Sequence, residues 1–243
     1  MVVPIDQGEE TEKKKLIIST GHPEIDKKLG GGLPIGSLTL VEGQSDAGKS
    51  VLCQQMLWGS LKSKSNSIVF TAENTARSLV KQMDSLGLGI LDFLLLGRIK
   101  VYYMKPSEIK LNAQKTFSVV LDTIEKNDSF QLIVVDSLTP IVSNTNEGEI
   151  LSYFERCKAF CDQGRTIINV IHTYAVNNDL LIRVRSACDA HLKLTIEKVG
   201  DKLVKTLEVA KIRGAAQNTG NIVTFEVEPE VGMKIMPLSR AKA

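Results

Sequence analysis

The sequence predicts an α/β fold in which a mostly parallel sheet is flanked by helices. Runs rich in β-branched residues alternate with segments of helical spacing over most of the chain. The run from Leu132 to Val135 is apolar throughout, as expected for a parallel strand that is covered on both faces. A length of 243 residues, with 43% hydrophobic and 24% charged residues, is ordinary for a globular chain of this kind.

The predicted strands follow one another in a regular order, with helical segments between most of them. In the parallel part they are "SLTLVEG", "SIVFTAE", "IKVYYM", "QLIVVD" and "RTIINVIH". The pattern then changes, because "AHLKLTIEKVGDKLVKTLEVAKIRG" predicts two strands joined by a turn at Gly200 and Asp201. Since "NIVTFEVE" predicts one more strand, we expect antiparallel edge strands at the C-terminal end of the sheet.

Charge and hydropathy restrict the class of protein. Residues 1–15 carry acids followed by "KKK", which predicts a charged flexible arm, and residues 16–243 are predicted to form a single domain. A formal net charge of +2 supplies little attraction to a phosphate backbone, so we expect no nucleic-acid partner. No apolar run approaches the roughly 20 residues of a spanning helix, which favours a cytoplasmic protein.

The stretch "GQSDAGKS", from Gly43 to Ser50, has the spacing of a phosphate-binding loop between an apolar strand and a helix-compatible segment. Such a loop lets backbone N–H groups converge on a polyphosphate at a helix N-terminus. Lys49 is expected to reach the β- and γ-phosphates and Ser50 to hold Mg²⁺, so the predicted ligands are ATP and Mg²⁺. The predicted nucleotide-binding residues are Gly43, Gln44, Ser45, Asp46, Ala47, Gly48, Lys49, Ser50 and Val51.

Asp46 is an unusual member of this loop, because it places a carboxylate inside an anion-binding segment. It repels phosphate unless its side chain turns outward or caps a neighbouring N–H group. The sequence leaves these alternatives open.

Two further acids follow predicted strands, where ligands bind in open α/β sheets. Asp136 ends "QLIVVD" and is the candidate for orienting Mg²⁺, although it is also placed to cap the following turn. Glu73 ends "SIVFTAE" and is the candidate for activating water, which makes Glu73 and Lys49 the predicted catalytic pair. The alternative for Glu73 is an acid at the start of the next helix.

The chain resembles the KaiC-like branch of the RecA-superfamily ATPases from about residue 16 to its C-terminus. The resemblance is carried by "ISTGHPEIDKKLGGGLPIGSLTLVEGQSDAGKS", "FTAEN", "LIVVDSL" and "VAKIRG". It implies a RecA-like P-loop NTPase core whose nucleotides lie between subunits, with Lys211 and Arg213 contacting a neighbour's nucleotide and His172 sensing the phosphate state. The alternatives are a solvated sheet edge for Lys211 and Arg213 and, for His172, a solvent-facing position in a turn at the start of a helix.

Within that branch, a single copy with "FTAENTARSLVKQM" and "HTYA" is similar to the FlaH (ArlH) proteins of the archaellum motor. This resemblance implies a homo-oligomer such as a hexameric ring, with the motor ATPase FlaI and the membrane platform FlaJ as partners. The protein would then lie in the cytoplasm at the base of the motor and reach the membrane only through those partners.

The same resemblance bears on turnover. KaiC proteins carry two adjacent acids where this chain has Glu73 and Asn74, which implies a nucleotide-dependent switch with slow or no hydrolysis. The alternatives are a hydrolysing ring ATPase and, on the fold alone, a DNA-binding recombinase paralogue.

Overall fold

The structure is a computed structural model that describes residues 17–199, 202–215 and 222–236. Two parts of the sequence prediction fall outside these ranges, namely the charged arm at residues 1–15 and the turn at Gly200 and Asp201. Within the described ranges, strands and helices alternate along most of the chain, as the sequence predicts.

The strands form one large sheet and one small pair. Their bounds are β1 (Ile17–Ile18), β2 (Leu33–Pro34), β3 (Leu38–Gly43), β4 (Ser67–Thr71), β5 (Ile99–Tyr103), β6 (Leu132–Asp136), β7 (Thr166–His172), β8 (Ala190–Val199), β9 (Lys202–Ile212), β10 (Ile222–Glu228) and β11 (Gly232–Met236). The nine-stranded sheet has the order β11-β10-β9-β8-β3-β7-β6-β4-β5, and β1 pairs with β2. Strands β8, β3, β7, β6, β4 and β5 run parallel, while β9, β10 and β11 continue the sheet antiparallel.

This architecture confirms the predicted fold class, including the antiparallel C-terminal edge. The sequence analysis did not predict β11 or the short β1–β2 pair. Both are short, and β1 and β2 have only two residues each, too few for a period of two to be recognised.

The helices cover both faces of the sheet. Their bounds are α1 (Pro23–Lys28), α2 (Lys49–Lys62), α3 (Ala76–Ser85), α4 (Leu91–Leu95), α5 (Pro106–Leu111), α6 (Ala113–Glu125), α7 (Thr139–Val142), α8 (Glu147–Asp162) and α9 (Asn178–Ala187). Thr75, Asn146 and Asn177 cap α3, α8 and α9 by accepting a backbone N–H, a contact that contributes about 1 kcal/mol each. None of the helices in the described ranges has the length and apolar character of a membrane span.

The core consists of two apolar layers, one on each face of the sheet. Strand β6 shows the division, because Val134 packs in the layer that contains Met56 of α2, while Ile133 and Val135 pack in the layer that contains Phe154 of α8. Successive side chains of a strand point to opposite faces, so a strand covered on both sides has to be apolar throughout. Each fully buried aliphatic side chain contributes about 2 kcal/mol.

The parallel register brings several strand ends to one edge of the sheet. Gly43 is the Cα partner of His172 on β7, and Thr71 is the partner of Asp136 on β6. The carboxyl ends of β3, β4, β6 and β7 therefore meet where the loop after β3 enters α2.

Candidate nucleotide site

The loop between β3 and α2 depends on glycine at both of its ends. A Cβ atom at Gly43 would lie 2.2 Å from the carbonyl oxygen of Leu194 on the neighbouring strand β8. Gly48 has a φ of 92°, in the left-handed region that favours glycine, immediately before α2 begins at Lys49. The two glycines thus permit the close approach and the turn that deliver the loop to the helix N-terminus.

A cavity of about 420 Å³ opens at the carboxyl edge of the sheet, beside this loop. Its lining residues are Ser45, Asp46, Gly48, Lys49, Ser50, Val51, Glu73, Gln82, Asp136, Ser137, His172 and Lys205. The cavity therefore brings together the loop and the predicted residues Glu73, Asp136 and His172, which are far apart in the sequence.

A second cavity, of about 500 Å³, lies beside β5 and is lined by residues such as Tyr103, Ile109 and Val119. Although it is larger, none of the site residues predicted from the sequence lines it. The smaller cavity is the candidate site because it combines a phosphate-binding loop with convergent charged groups.

Lys49 is buried at the start of α2, and its ammonium group donates a hydrogen bond to the carbonyl oxygen of Gln44. Burial lowers the pKa of Lys49, while the carboxylates of Asp136, Glu73 and Asp46 act in the opposite direction. Among the described residues no carboxylate lies within 4.0 Å of this ammonium group. Its charge is therefore left for an anionic ligand in the cavity.

Asp136 ends β6 next to Ser50, the second residue of α2. The pKa of Asp136 is raised to about 6, mainly by burial and also by the charge of Glu73, while the Ser50 hydroxyl and the Lys49 charge act against the shift. In the described residues no backbone N–H of the following turn donates to this carboxylate, which leaves the capping alternative without support. A hydroxyl and a carboxylate side by side are hard oxygen ligands of the kind that suit Mg²⁺.

Glu73 lies in the bend after β4 and is exposed. The N-cap of α3 is Thr75, whose side chain accepts from the backbone N–H of Ser78, so Glu73 stands outside the helix. The carboxylate shares the cavity with Lys49 and Asp136 instead. A carboxylate in this place is free to act on a water molecule.

His172 is the last residue of β7 and is half-buried at the side of the cavity. Its Nδ1 atom lies 3.4 Å from the Ser45 hydroxyl oxygen, and burial and the Lys49 charge lower its pKa. Helix α9 begins only at Asn178, so His172 does not belong to a helix start. The imidazole is thus in direct contact with the loop.

Lys211 and Arg213 do not reach the cavity of their own chain. Lys211 Nζ donates to the carbonyl oxygen of Arg185 at 2.7 Å, and Arg213 Nη2 donates to that of Ser186 at 3.4 Å, both at the end of α9. Arg213 Nη1 also lies 3.8 Å from Asp189 Oδ1. This placement is compatible with a contact to a neighbouring chain and also with an exposed sheet edge.

Three lining residues, Gln82, Ser137 and Lys205, were missed in the sequence analysis. Lys205 comes from β9, and its ammonium group donates to the carbonyl oxygen of Asp46, 159 residues away. Only strand pairing brings it there, so no local pattern could have identified it. Gln82 lies on α3, eight positions after Asn74, which precedes the Thr75 N-cap of that helix, so no helical periodicity links the two residues.

Comparison with known proteins agrees with this geometry. FlaH of Sulfolobus acidocaldarius, an archaeal flagellar ATP-binding protein, is 28% identical over 231 residues, spanning 94% of this chain and 100% of that protein. FlaH of Methanocaldococcus jannaschii is 25% identical over 224 residues, spanning 90% of this chain and 94% of that one. The crystal structure of the flagellar accessory protein FlaH from M. jannaschii matches with a TM-score of 0.80 at 25% identity, over 88% of this chain and 95% of that chain.

The resemblance predicted from the sequence motifs is thereby confirmed. The family model described as "ATPase: KaiC" matches residues 18–240, which include the loop, both acidic strand ends and β9. Since the match spans nearly the whole described chain, this protein belongs to the KaiC family of ATPases.

Proposed function

We propose that this protein is the ATP-binding component of an archaellum motor and acts there as a nucleotide-dependent switch. The observation that carries the proposal is the cavity in which Lys49, Ser50 and Asp136 converge beside a phosphate-binding loop. The named FlaH relatives, which align over nearly their whole length, supply the archaellum context. By the same resemblance its partners are FlaI and FlaJ, and its place is the cytoplasmic side of the motor base.

Each group at the site has a defined task in this proposal. The backbone N–H groups of residues 44–50 bind phosphate oxygens, and Lys49 binds the terminal phosphates. The hydroxyl of Ser50 and the carboxylate of Asp136 hold Mg²⁺. When bound, Mg²⁺ neutralises charge on the phosphates and lessens the repulsion from the acids that line the cavity.

In this proposal hydrolysis is slow because a single acid, Glu73, is available to activate water, whereas KaiC proteins carry two adjacent acids at this position. The amide of Asn74 donates to Gln82 Oε1 at 3.2 Å and accepts from the Ser78 hydroxyl at 2.8 Å, so it is held in a structural network. An amide is not a base, which leaves the exposed Glu73 as the group that activates water.

In this proposal the binding of ATP promotes the association of several copies of the chain. We assign to Lys211 and Arg213 a contact with the nucleotide of a neighbouring chain, since both lie outside their own cavity. His172 contacts Ser45 of the loop and is assigned the detection of the phosphate state. A γ-phosphate would then favour the assembled form by adding a contact that ADP lacks.

A hydrolysing ring ATPase is the second candidate. The observation that favours it is the position of Glu73, whose carboxylate lines the same cavity as Lys49 and Asp136. If Glu73 is oriented by a neighbouring subunit, turnover would rise upon assembly.

The two candidates are separated by measuring oligomeric state and phosphate release in parallel. Light scattering is recorded with ATP·Mg²⁺, with ADP·Mg²⁺ and without nucleotide, for the wild type, Lys49→Ala and Glu73→Gln. For a switch, ATP assembles the wild type and Glu73→Gln alike with negligible phosphate release, and Lys49→Ala stays unassembled. Release above about one phosphate per second that Glu73→Gln abolishes would show a ring motor instead.

Arg213→Ala serves as the matched variant for the neighbour contact. It is expected to bind ATP with the affinity of the wild type, because Arg213 is outside the cavity, but to fail in assembly. Normal assembly of this variant would assign Arg213 to an exposed sheet edge.

A further inference from the structure

Gln82 is a cavity residue that the proposed function does not yet use. It lies on α3 and lines the cavity together with Lys49, Glu73 and Asp136. Its side-chain carbonyl oxygen accepts two hydrogen bonds, one from Gln54 Nε2 on α2 at 3.1 Å and one from Asn74 Nδ2 at 3.2 Å. Gln82 therefore joins the helix after the phosphate loop to the segment that carries Glu73.

These two contacts determine which atoms of Gln82 remain for a ligand. A side-chain amide has one carbonyl oxygen with two acceptor sites and one NH₂ group with two donors. Both acceptor sites of Oε1 are taken, whereas Nε2 donates to no partner among the described residues. The group that Gln82 offers to the contents of the cavity is thus a hydrogen-bond donor.

The donor is also held in place. Gln54 and Asn74 both donate to its carbonyl oxygen, so that little side-chain freedom remains to be lost when Nε2 meets a ligand. A fixed, neutral N–H donor suits an anionic oxygen, and hydrogen bonds to charged groups are about twice as strong as neutral ones.

The position of Gln82 points to the end of the nucleotide that differs between ATP and ADP. Asn74 adjoins Glu73, and the charges of Glu73 and Asp136 both act on Lys49, the residue that reaches the terminal phosphates in such loops. We propose that Gln82 donates a hydrogen bond from Nε2 to the terminal phosphate of ATP and thereby lets the site distinguish ATP from ADP. The proposal rests on the proposed nucleotide binding and adds to it a residue that confers specificity.

The test compares dissociation constants for ADP·Mg²⁺ and for ATPγS·Mg²⁺, a slowly hydrolysed ATP analogue. Gln82→Met keeps the length of the side chain but removes the donor, so we expect about tenfold weaker binding of ATPγS. The affinity for ADP should stay within about twofold of the wild type, because ADP does not place a phosphate at this position.

Gln54→Met is the matched control, since it breaks the same network from the side of α2 and Gln54 does not line the nucleotide cavity. We expect it to lower the melting temperature and to change the ratio of the two affinities much less than Gln82→Met does, because the Nε2 donor of Gln82 remains and only one of its two supports is lost. An equal loss for both nucleotides in Gln82→Met, or the same selective loss in Gln54→Met, would assign Gln82 a structural role only.

A third variant keeps the proposal testable if Gln82→Met does not fold. Gln82→Glu retains the carbonyl oxygen that Gln54 and Asn74 contact but replaces the donor with a negatively charged oxygen, so ATPγS should be weakened more than ADP. Equal weakening of the two would overturn the proposal. If the wild type binds neither nucleotide, or if Lys49→Ala binds both as well as the wild type does, the nucleotide site itself is wrong.

Discussion

Two desolvated carboxylates at the same end of the central sheet, Glu42 on β3 and Asp136 on β6, have opposite electrostatic environments. Burial raises the pKa of both, but at Glu42 the hydrogen bonds and charges of His191 and Arg185 outweigh it and lower the pKa from 4.5 to about 2. At Asp136 burial prevails and the pKa rises to about 6. The difference lies in their partners.

Glu42 is fully paired within the chain. Arg185 Nε donates to Glu42 Oε2 at 2.9 Å and Arg185 Nη2 donates to Oε1 at 2.6 Å, in a bidentate contact from α9. His191 Nε2 lies 3.4 Å from Oε2. Within the described part of the chain, the groups that stabilise the charge of Asp136 are the Ser50 hydroxyl and the more distant Lys49 ammonium group. A buried charge that its own chain satisfies serves stability, whereas one that is left under-compensated beside a cavity marks a ligand site.

The largest expected effect comes from disrupting the paired cluster, which consists of Glu42, Arg185 and His191. Arg185→Met removes the bidentate partner and leaves the fully buried Glu42 with His191 alone, so the free energy of unfolding should fall by about 3 kcal/mol. Urea unfolding monitored by circular dichroism measures the change. Binding of ATPγS by the folded variant, measured at low temperature, should differ less than threefold from the wild type.

Ser186→Ala is a suitable control, because this neighbouring side chain donates to the carbonyl oxygen of Ile182 within its own helix and does not contact Glu42. Its free energy of unfolding should stay within about 0.5 kcal/mol of the wild type. A large loss of nucleotide affinity in Arg185→Met with unchanged stability would mean that the cluster belongs to the nucleotide site and that the comparison is wrong.

The same cluster should also make the free energy of unfolding depend on pH, with a smaller effect than that of Arg185→Met. Because the folded pKa of Glu42, about 2, lies below its ordinary value of 4.5, the stabilisation is complete above that value and is lost as the pH falls towards 2. Between about pH 5.5 and pH 3 the wild type should lose about 2 kcal/mol more than Glu42→Gln, in which this titration is absent. The groups that face Glu42 are Arg185 and His191.

Urea unfolding of the two proteins at several pH values provides the measurement. Parallel pH profiles would show that Glu42 is not held ionised by its partners.

The features that could be predicted from the sequence are those that depend on local patterns. The parallel core and the phosphate loop follow from local patterns, since apolar strands and the spacing from Gly43 to Ser50 are visible without tertiary structure. Asp136, which ends β6, and Glu73, which lies two residues after β4, could be named because the carboxyl ends of parallel strands meet at one edge of a sheet.

The paired cluster and the remaining cavity residues could not be found in this way. Glu42 and Arg185 are separated by 143 positions, and Lys205 meets the loop only through the pairing of β9 with β8. Gln82 required the hydrogen-bond network, because a glutamine on an amphipathic helix is ordinarily a surface residue. Contacts between distant segments are the part of a site that sequence patterns do not contain.

Asp46 gives the smallest effect and bears directly on the ligand site. Its side chain is exposed and its φ of 59° lies in the left-handed region, which asparagine adopts as readily as aspartate. Asp46→Asn therefore removes the charge without disturbing the loop, whereas alanine would add backbone strain. Because the carboxylate acts on Lys49 and His172 across the cavity, we expect the variant to bind ATPγS about threefold more tightly in low salt, a gain of about 0.6 kcal/mol.

The salt dependence of ATPγS binding distinguishes the alternatives for Asp46, namely repulsion of phosphate, an outward-turned side chain and a cap on a neighbouring N–H group. The gain should shrink towards zero near 0.5 M salt, where charges at an exposed site are screened within roughly 4 Å. Unchanged affinity at low salt would mean that the carboxylate turns outward, away from the phosphates. Weaker binding would mean instead that Asp46 supports the loop through a cap, and the negative charge in the cavity would then be part of how the loop is held rather than a cost to binding.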